Sequence, residues 1–530
     1  MTNTIRIGLD EDGGKLFGSS NIFYSIFRGG RTLKLSRLLS VLPDKKVFGK
    51  GDPEITGVIY DPLRIKPGFL YAAINIYTQM DKIELPDGHP FVNDAIKAGA
   101  VAVLLQQDLP VPPNIVKILV PDSRYALALI AAEFYHHPAK ALKLIGITGT
   151  NGKTTTTHII ESILMTKYRM GLIGTLYYKI NGRICLSKDT TPEPPDLEEI
   201  FTHMKEERCD YCAMEVSSHG VDFHRVAGLE YEAGVWTNLT QDHLDWHKTM
   251  ENYRNAKLRW FGSLGPDKSV GINIDDPSAH YFIEVARAKK VTYGIKNPAD
   301  VMANNVNLHS AGTDFTLITP KGKADVKAKL RGEFNLYNML SAVSTVIHSP
   351  LSIEEIKEGL EKNIVVAGRF QPVEKGQDFN VIIDYAHTPD GLEKVLQAAK
   401  AMKQKRIVTV FGCGGDRDRT KRPQMAAIVE QGSDSFIITD DNPRTEDPEQ
   451  IMSDIVSGLK NKKSGKYTII YDRYTAIKHA IENAEPGDLV LVAGKGHEST
   501  QTLKDTTIHF NDFEAADEIL MTILKGRKNA

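Results

Sequence analysis

The chain is 530 residues long, 41% hydrophobic and 25% charged, with a formal net charge of −2 at pH 7. That length suggests about three or four domains, and so small a charge supplies no field for nucleic acid or an acidic membrane. No apolar run reaches a membrane span, residues 1–10 lack the order of a secretory signal, and four cysteines make no disulfide framework. A cytoplasmic chain is expected, with no membrane insertion and no nucleic-acid partner.

Residues 1–32 read as an extension with a short docking segment around Ile22-Phe23-Tyr24 and Ile26-Phe27. Residues 33–142 read as a small α/β domain, with strands at 55–60, 69–74 and 99–106 and helices at 91–97 and 126–135. His136-His137-Pro138 ends the last helix as a linker; metal ligation by the two histidines is the alternative.

The central domain is expected over 143–367. Strand-like and helical runs alternate, which predicts a parallel sheet. It opens on Gly146-Ile147-Thr148-Gly149-Thr150-Asn151-Gly152-Lys153-Thr154, between an apolar run at 142–147 and a helical run at 155–168. Strand, Gly-rich turn and helix form the geometry that holds a phosphate on backbone amides and the helix dipole. Lys153 supplies a point charge, and Thr154 a hydroxyl for Mg²⁺. Ile147 stands where the strict phosphate-loop pattern has glycine. A strand at 211–216 delivers Glu215; another at 233–237 leads into Asn238, Asp242, His243, Asp245 and His247. A helix at 250–261 carries Lys257, and another follows at 334–348. Cys209 and Cys212 lack a second pair at zinc spacing and read as packed thiols.

Residues 368–530 form a third, Rossmann-like α/β unit, with strands at 380–384, 406–411, 435–439 and 488–493. Each ends in a polar loop: Asp384-Tyr385-Ala386-His387, Gly412-Cys413-Gly414-Gly415-Asp416-Arg417-Asp418, Asp441-Asn442-Pro443-Arg444 and Gly494-Lys495-Gly496-His497-Glu498. Open α/β sheets bind ligands outside the carboxyl ends of their strands, so these loops predict a second binding face.

Taken together, Thr148–Thr154, Met214-Glu-Val-Ser-Ser-His-Gly220, Thr237-Asn-Leu-Thr-Gln-Asp-His-Leu-Asp245 and Asp384-Tyr-Ala-His-Thr-Pro-Asp390 resemble the Mur ligases, ATP-dependent amide ligases of peptidoglycan precursor synthesis. The loops at 414–418, 441–444 and 494–498 are similar to those of the type that adds the third peptide residue, the UDP-N-acetylmuramoyl-tripeptide synthetases. The resemblance spans nearly everything from residue 33 onward. It implies a P-loop ATPase-like central domain and two-step chemistry: a carboxylate of UDP-N-acetylmuramoyl-L-Ala-D-Glu takes the γ-phosphoryl of ATP, and an amino-acid amine then displaces phosphate.

The resemblance also implies roles. Gly149, Thr150, Asn151, Gly152, Lys153, Thr154 and Thr155 would hold the triphosphate. Thr154, Glu215, His243 and a carbamylated Lys257 would serve Mg²⁺; without the motif around it, Lys257 reads as a solvated helical lysine. Asn338, Arg369, Asp384 and His387 would complete the ATP site, with Tyr385 beside them. Thr190, Thr191, Ser217 and Arg225 would contact the UDP-sugar-peptide. Arg417, Asp441, Asn442, Pro443, Arg444, Gly494 and Glu498 would read the incoming amino acid. Arginines beside acidic groups suit meso-diaminopimelate, because lysine would leave a buried arginine unpaired; the alternative is that Arg444 pairs within its own loop. A monomer is expected.

The departures fall on the acceptor side. Pro62 replaces a serine usual in the uridine-side loop, Phe223 stands where glutamine is common, Asp189 where asparagine is common, and residues 75–90 are unusual. Rival readings are an L-lysine-adding ligase, a folylpolyglutamate-type ligase, and a non-catalytic nucleotide-binding relative.

Overall fold

A computed structural model describes residues 31–74, 87–187, 189–402, 404–463 and 465–529. The expected docking segment, and most of the unusual stretch 75–90, lie outside these residues.

The N-terminal unit is a five-stranded sheet. Gly57–Ile59, Phe69–Ala72, Ala102–Leu105 and Val116–Leu119 run parallel, and Lys46–Phe48 closes the edge antiparallel. Helix Ser123–Phe134 starts on Asp122, whose carboxylate accepts from the amides of Arg124 and Tyr125. His136 and His137 both adopt left-handed backbone after this helix, and His137 Nε2 lies 3.0 Å from Glu133 of the same helix. The pair therefore serves the helix end, as the linker reading expects.

The central sheet has eleven strands, and the expected parallel order holds only in its middle. Met170–Ile173, Tyr211–Glu215, Lys143–Thr148, Tyr231–Trp236, Ser269–Asn273, Lys289–Gly294 and Val301–His309 lie side by side and parallel. Antiparallel strands close both edges: Tyr177–Ile180 with Arg183–Leu186, and Gly312–Thr319 with Gly322–Ala328. Asn181-Gly182 explains the first hairpin. Both residues take positive φ (46° and 87°) between the paired Ile180 and Arg183, the two-residue turn that matches strand twist. Helices Lys153–Leu164 and Glu333–Val346 cover one face, and Pro194–Glu206, Met250–Phe261 and Ala279–Val285 cover the other. Ile147 is fully buried in the first of these cores, so the non-glycine position belongs to the strand rather than to the turn.

The C-terminal sheet runs Gln371–Pro372, Asn380–Asp384, Leu489–Ala493, Ile407–Phe411, Ser435–Ile438, Tyr467–Ile469, parallel except for the first. Its two apolar faces are covered by separate helix sets, the doubly wound arrangement expected. All four cysteines are free, and Cys209 and Cys212 are buried.

Candidate active site

Three parallel strands end side by side in the central sheet. Register pairs Ile147 with Glu215 and Thr148 with Trp236, so the phosphate loop, Glu215 and the 237–243 loop leave the sheet at one level. Gly149 (φ 147°) and Gly152 (φ 88°) carry the turn. A Cβ on Gly149 would stand 1.9 Å from Thr237 Oγ1, and one on Gly152 would stand 2.3 Å from Asn338 Oδ1. The sequence reading has the turn's amides aimed at an anion. Two of them already have partners: Thr150 N donates to Asn238 O (2.9 Å) and Asn151 N to Asn238 Oδ1 (3.0 Å). The helix starting at Lys153 still offers its first-turn amides, which by helix geometry have no intrahelical acceptor. Thr154 and Thr155 are buried in that turn.

Lys153 Nζ donates to the carbonyls of Gly149 (3.0 Å) and Thr150 (2.8 Å). Lys257 is 1% exposed, and its Nζ donates to the same Gly149 carbonyl at 2.9 Å while sitting 4.4 Å from the Tyr253 ring centroid. Burial, then the charge of Lys153, pushes the Lys257 amine well below the usual lysine range. The solvated-lysine reading is thereby overturned. Glu215 is buried, and both its oxygens accept from Thr175. His243 lies in left-handed backbone at the start of a short turn of helix, 3.4 Å from Asp242 and edge-on to His219.

The C-terminal unit closes over this loop. Asp390 Oδ2 accepts from Asn151 Nδ2 (2.8 Å) and Thr240 Oγ1 (3.3 Å). Arg369 lies over the Tyr385 ring and reaches Thr154 Oγ1 at 3.5 Å, while its buried Nε has no partner. Asp384 accepts from the amides of Phe370 and Ala386, and burial pushes its carboxyl up to about 6. Burial, then Lys421, pushes His387 down to about 4, so it is neutral near pH 7; its Nδ1 bonds the Tyr385 carbonyl. Asn338 donates to Asn335 Oδ1 beside the turn.

One cleft of about 1640 Å³ joins these groups to the amino-acid loops. Arg444, in left-handed backbone, donates to the carbonyls of Gly415 (2.9 Å) and Asn442 (3.4 Å). The alternative of a carboxylate partner within its own loop is not what the side chain adopts. Arg417 donates to the Asp416 carbonyl. Lys495, 0% exposed, bonds Asn442 Oδ1 (3.1 Å) and Glu498 Oε2 (3.0 Å). Against its burial, Lys495, Arg473 and Arg444 hold Asp441 below the usual carboxylate range. Gly494 packs on Asp441, and Pro443 on Gly415. Lys495 and Arg473 carry no role in the sequence reading. The Gly-Lys-Gly spelling was a signal for the first; the pairing of Arg473 with Asp512, thirty-nine positions on, left none.

The acceptor-side residues assemble differently. Thr190 and Ser217 line the cleft; Thr191 and Arg225 stand behind them. Thr191 Oγ1 contacts the Glu215 carbonyl and Ser217 Oγ, and Ser217 Oγ caps the turn that follows by accepting from Gly220 N. Arg225, 2% exposed, bonds Glu193 (2.9 Å), the Thr191 carbonyl (2.8 Å) and Asp189 (3.3 Å). Pro62 opens a 3₁₀ turn, Pro62–Arg64, capped by Asp61; Arg64 pairs with Asp196 at 2.9 Å.

Oxygen donors suit a hard cation, and Thr154 and Glu215 supply them. Among the described residues no group of three or more His, Cys, Asp or Glu side chains is gathered to hold a metal alone.

Models of the Mur ligase middle domain and of the Mur ligase glutamate ligase domain match residues 147–346 and 368–496. A Bacillus licheniformis protein named UDP-N-acetylmuramoyl-L-alanyl-D-glutamate–2,6-diaminopimelate ligase is 43% identical over 93% of this chain and 100% of its own. A Geobacillus thermodenitrificans protein of the same name is 44% identical over 91% and 98%. A solved structure of a ligase so named aligns with TM-score 0.64 at 30% identity, over 93% of this chain and 99% of that one. With its phosphate loop, its strand-end carboxylate and its doubly wound third unit all inside those matches, the chain belongs to the Mur ligase family.

Proposed function

We propose that this chain joins meso-diaminopimelate to UDP-N-acetylmuramoyl-L-alanyl-D-glutamate at the expense of ATP, the reaction for which its relatives are named. The observation that carries the reading is the single cleft in which a phosphate loop faces an arginine held only on carbonyls. An acceptor carboxylate oxygen attacks the γ-phosphorus, the bond to the β-phosphate oxygen breaks, and ADP leaves. The amine nitrogen then attacks the acyl carbon, the bond to phosphate breaks, and the amine sheds a proton. Lys153 and the first-turn amides orient the phosphates and offset their charge. Thr154 and Glu215 would hold Mg²⁺, which supplies charge neutralisation to the phosphate oxygens. Burial favours the uncharged amine of Lys257; CO₂ adding to it, with loss of a proton, would give a carbamate with oxygen donors. Arg369, whose Nε lacks a partner, and Asn338 take the nucleotide from the C-terminal and central units.

At the far end of the amine substrate, Arg444 and Arg417 pair with the second carboxylate, and Asp441 and Glu498 with an ammonium group. Thr190 and Ser217 face the acceptor. The reaction belongs in the cytoplasm, where its nucleotides are, and the chain acts as a monomer; no helix among the described residues is long and apolar enough to cross a membrane.

Phosphate release from ATP, measured with the dipeptide acceptor and meso-diaminopimelate, L-lysine or no amine, tests the reading. Release should require an amine and favour diaminopimelate. Amine-independent release alone sinks the ligase, and preference for lysine sinks the role of Arg444. Equal rates with UDP-linked and free acceptor would remove UDP from the substrate.

A further inference from the structure

Glu215 owes its orientation to one residue outside every motif considered so far. Thr175 follows strand Met170–Ile173, which lies parallel beside Tyr211–Glu215. Its backbone N–H donates to Glu215 Oε1 at 2.9 Å, and its hydroxyl donates to Oε2 at 3.0 Å. The preceding residue must be small: a Cβ on Gly174 would stand 2.5 Å from Oε1. The same Thr175 hydroxyl lies 3.0 Å from Thr190 Oγ1. Thr175, Thr190 and Glu215 all line the cleft.

Proton accounting fixes the direction of this chain. An ionised carboxylate only accepts, and a hydroxyl has one hydrogen. If the Thr175 hydrogen goes to Glu215, the hydrogen between the two threonines belongs to Thr190. Two consequences follow. Both Glu215 oxygens are clamped by one residue, in a bidentate arrangement that leaves lone pairs for a cation. The Thr190 hydroxyl is turned into an acceptor, so it can bond an N–H or O–H of a ligand but has no hydrogen left to donate.

We propose that Thr175 is a positioning residue: it sets the Glu215 carboxylate for the divalent cation and, through the same hydroxyl, sets the polarity of Thr190 toward the acceptor substrate. The inference rests on the reading of Glu215 as a metal-side residue. Partners of this kind typically change metal affinity ~10–100-fold when removed.

Mn²⁺ titration by electron paramagnetic resonance with ADP present, on the full chain, reads the effect directly. Thr175→Val keeps the shape and the backbone donor but loses the hydroxyl; Thr175→Ser keeps the hydroxyl. Nucleotide-dependent Mn²⁺ affinity should fall about 10-fold or more in the valine variant and stay within about 3-fold of wild type in the serine variant. Melting temperatures of both, taken alongside, report folding. Unchanged affinity in Thr175→Val overturns the proposal, as does an equal loss in Thr175→Ser. Wild type that binds no Mn²⁺ with ADP overturns the metal site itself, and Thr175's role with it.

Discussion

Arg225 is buried and Arg444 half-buried, and the two cations are satisfied in opposite ways. Arg225 sits among two carboxylates and a carbonyl at the junction of the first two units. Arg444 rests on two carbonyls and makes no ion pair with any described residue. The same contrast recurs at other cations, although in the cleft Lys495 and Lys394 do pair with Glu498 and Asp390. On the acceptor side, Arg124 pairs with Glu193 and Arg64 with Asp196. In the cleft, Lys153 rests on the carbonyls of Gly149 and Thr150, which cannot cancel its charge. A cation on carboxylates has given its charge to the fold; a cation on carbonyls keeps it for an incoming anion. The acceptor side is thus mostly framework, and the cleft is where charge is held ready.

The largest expected effect is at the buried amine beside the phosphate loop. Lys257→Ala should lower turnover about 100-fold or more, the cost typical of losing one preorganised charge-stabilising group. Short-chain carboxylic acids should restore part of it if the lysine acts as a carbamate. A fully active variant without added acid would remove Lys257 from the site and weaken the contrast.

Next comes Arg444→Ala. Its kcat/KM for diaminopimelate should fall about 100-fold, or about 2.7 kcal/mol, the scale of truncating one partner of an enclosed charge pair. Activity with L-lysine, which has no distal carboxylate, should hold or rise. Equal losses for the two amines would show that Arg444 only braces its loop.

How far this division was legible in the sequence depended on the range of the interaction. The phosphate loop, Glu215 at its strand end and the four C-terminal strands are written locally, as apolar runs ending in glycine or acid. The hairpin at Asn181-Gly182 is also written locally, as a two-residue turn signal inside a region whose alternating runs otherwise predict a parallel sheet. Burial of Lys257 was not legible: a lysine on a helix with polar neighbours looks solvated until the strand ends close over it. Nor were the partners of Arg225, because Glu193 lies thirty-two positions away and no periodicity links the two. Asp189 was visible as an odd residue, yet its purpose as a partner of Arg225 needed the fold.

One acid at the junction goes against the pattern and gives it a pH test. Glu198 lies on helix Pro194–Glu206, which packs on Ser123–Phe134; its Oε2 is buried without a partner, and burial pushes its carboxyl up to about 8. Glu199 beside it is pushed up to about 7, by burial first and Asp196 second. For an acid raised in the folded state, the stabilisation is full below the unfolded value of 4.5 and is lost as pH climbs toward 8. Between pH 6 and 7 that loss is about 1.3 kcal/mol for Glu198 and about 1 kcal/mol for Glu199, which is already ionising there. Urea unfolding of Glu198→Gln at pH 5 and pH 7.5 should show the variant gaining on wild type only at the higher pH. A gap independent of pH would mean that the Glu198 carboxyl titrates in the fold as it does unfolded.

The smallest effect is the most direct probe of Arg225. Asp189→Asn removes one of its two carboxylates while keeping size and a hydrogen-bond acceptor, and Glu193 remains at 2.9 Å. The loss should be about 1 kcal/mol of stability, since an ion pair becomes a bond from the charged guanidinium to a neutral amide and no charge is stranded. The informative measurement is the acceptor KM. With less of its charge answered internally, Arg225 draws more strongly on an anionic acceptor, so KM should fall while kcat and the KM for ATP stay put. If KM rises instead, Asp189 holds Arg225 and the Thr190-Thr191 turn in place for the substrate, and the saturated arginine belongs to the binding site through its geometry rather than its charge.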